Sequence, residues 1–129
     1  GFGVPRLKLA IGPHPCAIDL LGDAAPQTVR GITRLLPLET VLGHAKFAGE
    51  ELIFMIPEMF ERENIVGSVA PGDVAYYPDR QTICIFYGDI VPFAKVGLVG
   101  KVSSGLDTLR RIGPSLWAQP CNITVSLEA

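Results

Sequence analysis

No stretch of eighteen apolar residues occurs in the 129-residue sequence, so no segment reads as a membrane-spanning helix. No two cysteines form a Cys-x-x-Cys pair, and the three present, Cys16, Cys84 and Cys121, stand on apolar segments. An odd number so placed fits reduced, buried thiols rather than a disulfide framework, and the expected compartment is the cytoplasm. Histidine is scarce as well: His14 and His44 are far apart, and neither has a ligand-spaced Cys or His beside it. The usual zinc patterns are therefore missing, and no metal or other cofactor is expected. The beginning, Gly1-Phe2-Gly3-Val4-Pro5-Arg6, lacks the basic start and apolar run of a signal peptide.

Charge of one sign is lacking too. Eleven basic and thirteen acidic residues give a net charge of -2, and Lys8, Arg30, Lys46, Arg80, Lys101 and Arg110 are dispersed along the chain. A nucleic-acid binder would concentrate them on a basic domain, so that partner is not expected. With 48% hydrophobic and 19% charged residues the chain is too apolar for disorder. Its length suits one domain, burying roughly two-thirds of the unfolded surface without staples.

What is present reads as short strands with two helices. Leu7 to Ile11 and Cys16 to Leu20 flank the turn residues Gly12-Pro13-His14-Pro15 as a hairpin. Pro26 suits the first turn of a helix, and Val29, Ile32, Leu35 and Leu36 recur at helical spacing until Pro37. Thr40 to Ala48 and Glu51 to Ile56 are strands around Gly49-Glu50, a glycine-first two-residue turn. Pro57 to Gly67 is polar and acidic, a loop. Asp73 to Tyr77, Thr82 to Tyr87, Val96 to Val102 and Pro120 to Leu127 are further strands. Ser103-Ser104-Gly105 caps a helix through Ile112. Eight strands and two helices in one domain predict a closed antiparallel barrel, since closure leaves no exposed edge.

Four segments, in order, resemble the cyclophilins and a branch of small prokaryotic cyclophilin-like proteins. Ala25-Pro26-Gln27-Thr28-Val29 is similar to the A-P-x-T-V opening of their first helix. Val99-Gly100-Lys101-Val102-Ser103-Ser104-Gly105-Leu106-Asp107 resembles their F-G-x-V-x-x-G-M-D junction. Pro71 to Pro78 and Thr82 to Gly88 resemble the prokaryotic branch. The resemblance implies a mostly β fold, a closed eight-stranded antiparallel barrel with a short helix capping each end. It also raises prolyl isomerisation, in which an arginine on an F-H-R-x-I strand stabilises a twisted amide. The corresponding strand here, Leu42-Gly43-His44-Ala45-Lys46-Phe47, has no arginine, and Lys46 lacks the planar fork. The family's Q-G-G is replaced by Ile56-Pro57-Glu58, and the Gly88 to Val96 loop offers only Phe93.

Lys46 is thus the one candidate for a catalytic position. A two-residue turn at Gly49-Glu50 pairs Lys46 with Ile53 and His44 with Met55. Ala45, Phe47, Leu52 and Phe54 then form a core face, and His44, Lys46, Ile53 and Met55 an outer one. Such a groove suits a ligand with an apolar body and a carbonyl or carboxylate acceptor. Tyr76 and Tyr77 point to opposite faces of one strand; one belongs to the core with a tethered hydroxyl, and Tyr77 joins Phe93 as a ligand-binding candidate. Glu50 and Glu51 are adjacent carboxylates whose place in a tight turn predicts exposure. A Cys16–His14 nucleophile pair is disfavoured by the intervening Pro15. Lys95 and Val102 spoil a phosphate-loop match in Gly97 to Val102. The expected function is a binding module that holds a peptide or small metabolite on the outer barrel face, with a weak prolyl isomerase as the alternative. Neither a nucleic-acid nor a membrane partner is expected, and the oligomeric state is open.

Overall fold

The computed structural model describes residues 4–46, 49–88, 90 and 95–128. Every second residue from Leu7 to Ile11 is apolar, and a strand puts such residues on one face. Leu7, Leu9 and Ile11 are accordingly buried in β1 (Arg6–Ile11), and β2 (His14–Leu20) buries Cys16, Ile18 and Leu20 against them. The chain continues through α1 (Pro26–Arg34), β3 (Leu38–His44), β4 (Glu51–Met55) and a two-residue β5 (Ile65–Val66). After β6 (Asp73–Tyr77), β7 (Thr82–Phe86) and β8 (Val96–Ser104) come α2 (Leu106–Ile112), a 3-10 turn (Gly113–Trp117) and β9 (Cys121–Leu127).

The strands run in the order β2-β1-β9-β3-β4-β7-β6-β8, and β8 pairs with β2 to close the ring. Every pairing is antiparallel, and β5 is a short addition on β8. The molecule is therefore the expected closed eight-stranded antiparallel barrel with two helices. Leu42, Leu52, Phe54, Val74, Ile85, Val99, Ile123 and Val125 fill the interior. α1 adds Val29 and Ile32 at one end, while Leu109 of α2 and Leu116 of the 3-10 turn complete the same core.

The loop between β4 and β6 is anchored rather than loose. The Phe60 ring lies so close to Gly31 of α1 that any side chain there would overlap it. The Phe60 amide donates to the Tyr76 hydroxyl at 2.8 Å, which tethers the fully buried tyrosine at its polar tip. Glu63 supplies what Ala25, the residue before α1, cannot. Its carboxylate accepts from the Thr28 amide at 2.7 Å, the Thr28 hydroxyl at 2.8 Å and the Gln27 amide at 3.2 Å. These are donors that a helix start leaves unpaired. Burial pushes the Glu63 carboxyl up, but these hydrogen bonds outweigh it and hold the group below its ordinary range.

Two local expectations need correction. β3 ends at His44, and Gly43 pairs with Ile53 and His44 with Leu52. The connection is longer than two residues, because the ladder closes at the Ala45 amide on the Glu51 carbonyl, 2.9 Å. The register is offset by an odd number from the expected one, so on β3 the faces exchange. His44 joins Leu42 inside, while on β4 Leu52 and Phe54 face inward as expected. Phe47, assigned to the core face, lies outside the described residues. Ser103 and Ser104 continue β8 instead of capping α2, whose first flanking residue is Gly105 at φ +95°. That glycine has Pro15 and Cys16 within 3.0–3.3 Å of where a Cβ would stand, so no other residue fits both the space and the backbone.

Candidate functional site

The register places three rows of side chains on the outside of β4, β7 and β6. Met55, Thr82 and Tyr77 form one; Ile53, Cys84 and Ala75 the next; Glu51 and Phe86 the third. On an ordinary barrel this surface would meet water. Here Ala75, Cys84, Phe86 and Val96 are buried as a second apolar cluster, separate from the interior. Ile53, Val66, Val69, Tyr77 and Ile90 pack on it, partly exposed. The run Thr82 to Phe86 has no polar residue after Thr82, and both of its faces meet apolar groups. Met55, 62% exposed, stands at the rim.

Among the described residues two carboxylates are buried on this face, in different circumstances. Asp73 accepts from the Ala70 amide at 2.9 Å and pairs with Lys101 Nζ at 3.3 Å. Glu51 is just 7% exposed, contrary to the exposure expected of a turn residue. The Cys84 thiol stands one row away on the neighbouring strand. Burial pushes the Glu51 carboxyl above its ordinary range; the thiol and nearby His44 oppose this and do not cancel it. Cys84 is pushed well up, first by burial and then by the charge and hydrogen bond of Glu51. The sequence signal that could have found Glu51 is an acidic residue opening a strand whose next neighbours alternate in and out.

The remaining sequence candidates separate. His44, at 9% exposure, is inside the barrel mouth. Its Nδ1 donates to the Ala45 carbonyl at 2.8 Å, which leaves Nε2 to accept from the Tyr87 hydroxyl at 2.7 Å in the neutral ring. The two rings meet edge to face with centroids 5.6 Å apart. Gly113 is where the 3-10 turn crosses this pair, and a Cβ there would come within 2.8 Å of the Tyr87 ring. Lys46 leaves the β3 line and bridges to the same turn. Its Nζ donates to the Trp117 carbonyl at 2.5 Å and lies 3.7 Å from the centre of the Trp117 ring. Ile53, Met55 and Tyr77 are brought together on the outer face; His44 and Lys46 are not among them. Phe93 lies outside the described residues. Cys16, Cys84 and Cys121 are free thiols, and among the described residues no three metal-ligating side chains converge. No described helix is long and apolar enough to cross a membrane.

Comparison with solved structures places this barrel among known ones. The structure of McbB in complex with tryptophan superposes at TM-score 0.82 with 21% identity over 93% of this chain, a likeness of fold. This chain spans 44% of the McbB chain. The hypothetical protein AF2241 from Archaeoglobus fulgidus, solved in solution, gives TM-score 0.73 and 26% identity over 95% of this chain and 94% of its own. No curated protein matches the sequence. The sequence matches the family described as cyclophilin-like over residues 5–115, nearly the whole barrel, and the chain belongs to that family.

Proposed function

We propose that this protein is a binding module that holds a small ligand on the outer barrel face formed by β4, β7 and β6. What supports the reading is the second apolar cluster, with half-buried Ile53 and Tyr77 on it and exposed Met55 at its edge. An apolar surface outside a barrel interior is unfavourable in water unless something covers it. The β4–β6 loop and Ile90 cover part of it, and the ligand covers the rest. Ile53, Met55 and Tyr77 contact its apolar body, and Glu51 is the polar group beside them. A prolyl isomerase needs a donor free to reach the prolyl nitrogen, whereas Lys46 is engaged by Trp117. The reading is therefore of binding rather than of prolyl isomerisation.

A first probe is tryptophan, the compound named with the McbB structure, alongside a short X-Pro peptide. Titration into ¹⁵N-labelled protein should move the amides of Ile53, Tyr77 and Cys84 with at least one of them. Shifts confined to the β1–β2–β9 side, or none with either probe, would remove the reading.

A further inference from the structure

We propose that the outer face takes a small monocarboxylic acid with an apolar body, and that Arg62, on the loop between β4 and β5, binds its carboxylate. The inference rests on the binding-module reading and adds the charge that the ligand carries.

Among the described residues one buried side-chain nitrogen or oxygen has no hydrogen-bond partner, and it is Arg62 Nε. The guanidinium is otherwise served by Asp79, which meets Nη2 at 3.5 Å, longer than a good hydrogen bond. A charged donor left in this condition is costly, and a bound ion is one of the few arrangements that relieves it. The Arg62 side chain is 31% exposed and that of Asp79 64%, so the arginine is held and the aspartate is free to turn into water.

The place of the guanidinium follows from what holds its loop. The Phe60 amide is tied to the Tyr76 hydroxyl, and the Glu63 carboxylate to the start of α1. Asp79 follows Tyr77 by two residues, and Tyr77 shares the last outer row with Thr82 and Met55. Arg62 therefore stands at the Met55–Tyr77 end of the outer face, where the apolar side chains are at least partly exposed. A ligand whose apolar body lies on Met55 and Ile53 can turn a carboxylate onto the Nε–Nη2 edge. It then makes two parallel hydrogen bonds where Asp79 makes one long contact. Glu51, beside Ile53, is four residues along β4 from Met55, about 13 Å, too far to oppose this carboxylate strongly. The ligand's charge is limited to one. Glu58 and Glu61 are exposed in the same loop and repel a dianion such as phosphate more than a carboxylate.

The test uses 3-phenylpropionate and 2-phenylethylamine, of one size and opposite charge, titrated into ¹⁵N-labelled protein at neutral pH. Backbone amides and arginine Nε–H signals are followed together. The acid should move the Ile53 and Tyr77 amides and the Arg62 Nε–H, and bind at least about tenfold tighter than the amine. Arg62→Gln should lower acid affinity about tenfold or more and leave that of the amine unchanged. Asp79→Asn is the second variant, at an exposed position, for the case that Arg62→Gln fails to fold. By removing the competing carboxylate it should raise acid affinity about two- to fivefold. Equal or tighter binding of the amine, an Arg62 Nε–H that the acid leaves unmoved, or no gain in Asp79→Asn overturns the inference while the groove stands. The Arg62–Asp79 pair is then structural only. If neither probe moves the Ile53 and Tyr77 amides but tryptophan or the X-Pro peptide does, the carboxylate preference is wrong. If none of the four does, the groove is wrong too.

Discussion

At the scale of single residues, burial decides the chemistry. Glu51 has a folded-state pKa above the ordinary carboxylate value of 4.5 because burial disfavours its charge. Folding therefore takes up a proton at this site, and its contribution to stability is fullest below the unfolded pKa. It is lost as the pH rises through the raised folded value. Glu51→Gln should raise the melting temperature by a few degrees at pH 8 and change it little at pH 4. A variant equally or less stable than the parent at pH 8 would contradict this. The thiols sort by the same principle. Burial pushes Cys16 up to about 11 and Cys84 well above its ordinary value, while Cys121 is partly exposed. A thiol reagent should modify one cysteine in the native protein and three after denaturation, and two fast native thiols would show that the outer cluster is open. The reduced state was readable from count and context. The burial of Glu51 was not, because an adjacent Glu50-Glu51 pair looks like any solvated turn.

Secondary elements here depend on partners distant in sequence. α1 begins at a proline, as its sequence indicates, but its cap comes from Glu63 in a loop that looks merely acidic. Glu63→Ala should cost about 0.5–2 kcal/mol, the range for loss of a helix cap, measured by denaturant unfolding. A loss near zero would mean that water serves those amides as well. Because the carboxyl is held low in the folded state, its stabilisation is present above the unfolded pKa and is lost as pH falls through the folded one. The difference between Glu63→Ala and the parent should therefore shrink in acid. At the other end of the barrel, Gly113 has a helical backbone that alanine would favour, so Gly113→Ala isolates the steric effect. The Tyr87 ring it would meet is fixed by His44 and cannot move without breaking that hydrogen bond. The variant should lose about 1–3 kcal/mol, as for overpacking, and a gain in stability would show that the ring yields.

The whole molecule is governed by closure. Pairing of β2 with β8 leaves no long strand edge, and the interior side chains of all eight strands meet in one core. Unfolding should be a single cooperative transition, with coincident curves from tryptophan fluorescence and far-UV circular dichroism. Closure also fixes which surface can work. Among the described residues the interior is packed with Leu, Ile, Val and three aromatic rings, Phe54, Tyr76 and Tyr87, so the proposed ligand site is outside, where β4, β7 and β6 carry apolar residues on both faces. Met55→Ala tests that placement: at 62% exposure it should change stability little and weaken ligand binding.

Most of the architecture could be read from residue order alone. Period-two alternation in Leu7–Ile11, the Pro26 helix start, the Gly105 junction and the unbroken apolar run Thr82 to Phe86 are local signals, and local signals determine strands, helices and the closed barrel they build. The faces of β3 could not be read in this way. Side chains in a strand alternate with period two, so an odd offset in the pairing of β3 with β4 sends His44 inward in place of its neighbours. That offset is set by where the ladder to β7 and β9 and the Tyr87 hydroxyl hold the strand, not by Gly49-Glu50. The charge of the outer face follows from the same fact. Sequence order offered two basic groups for that surface; tertiary pairing turned one inward, tied the other to Trp117, and left a buried glutamate in their place.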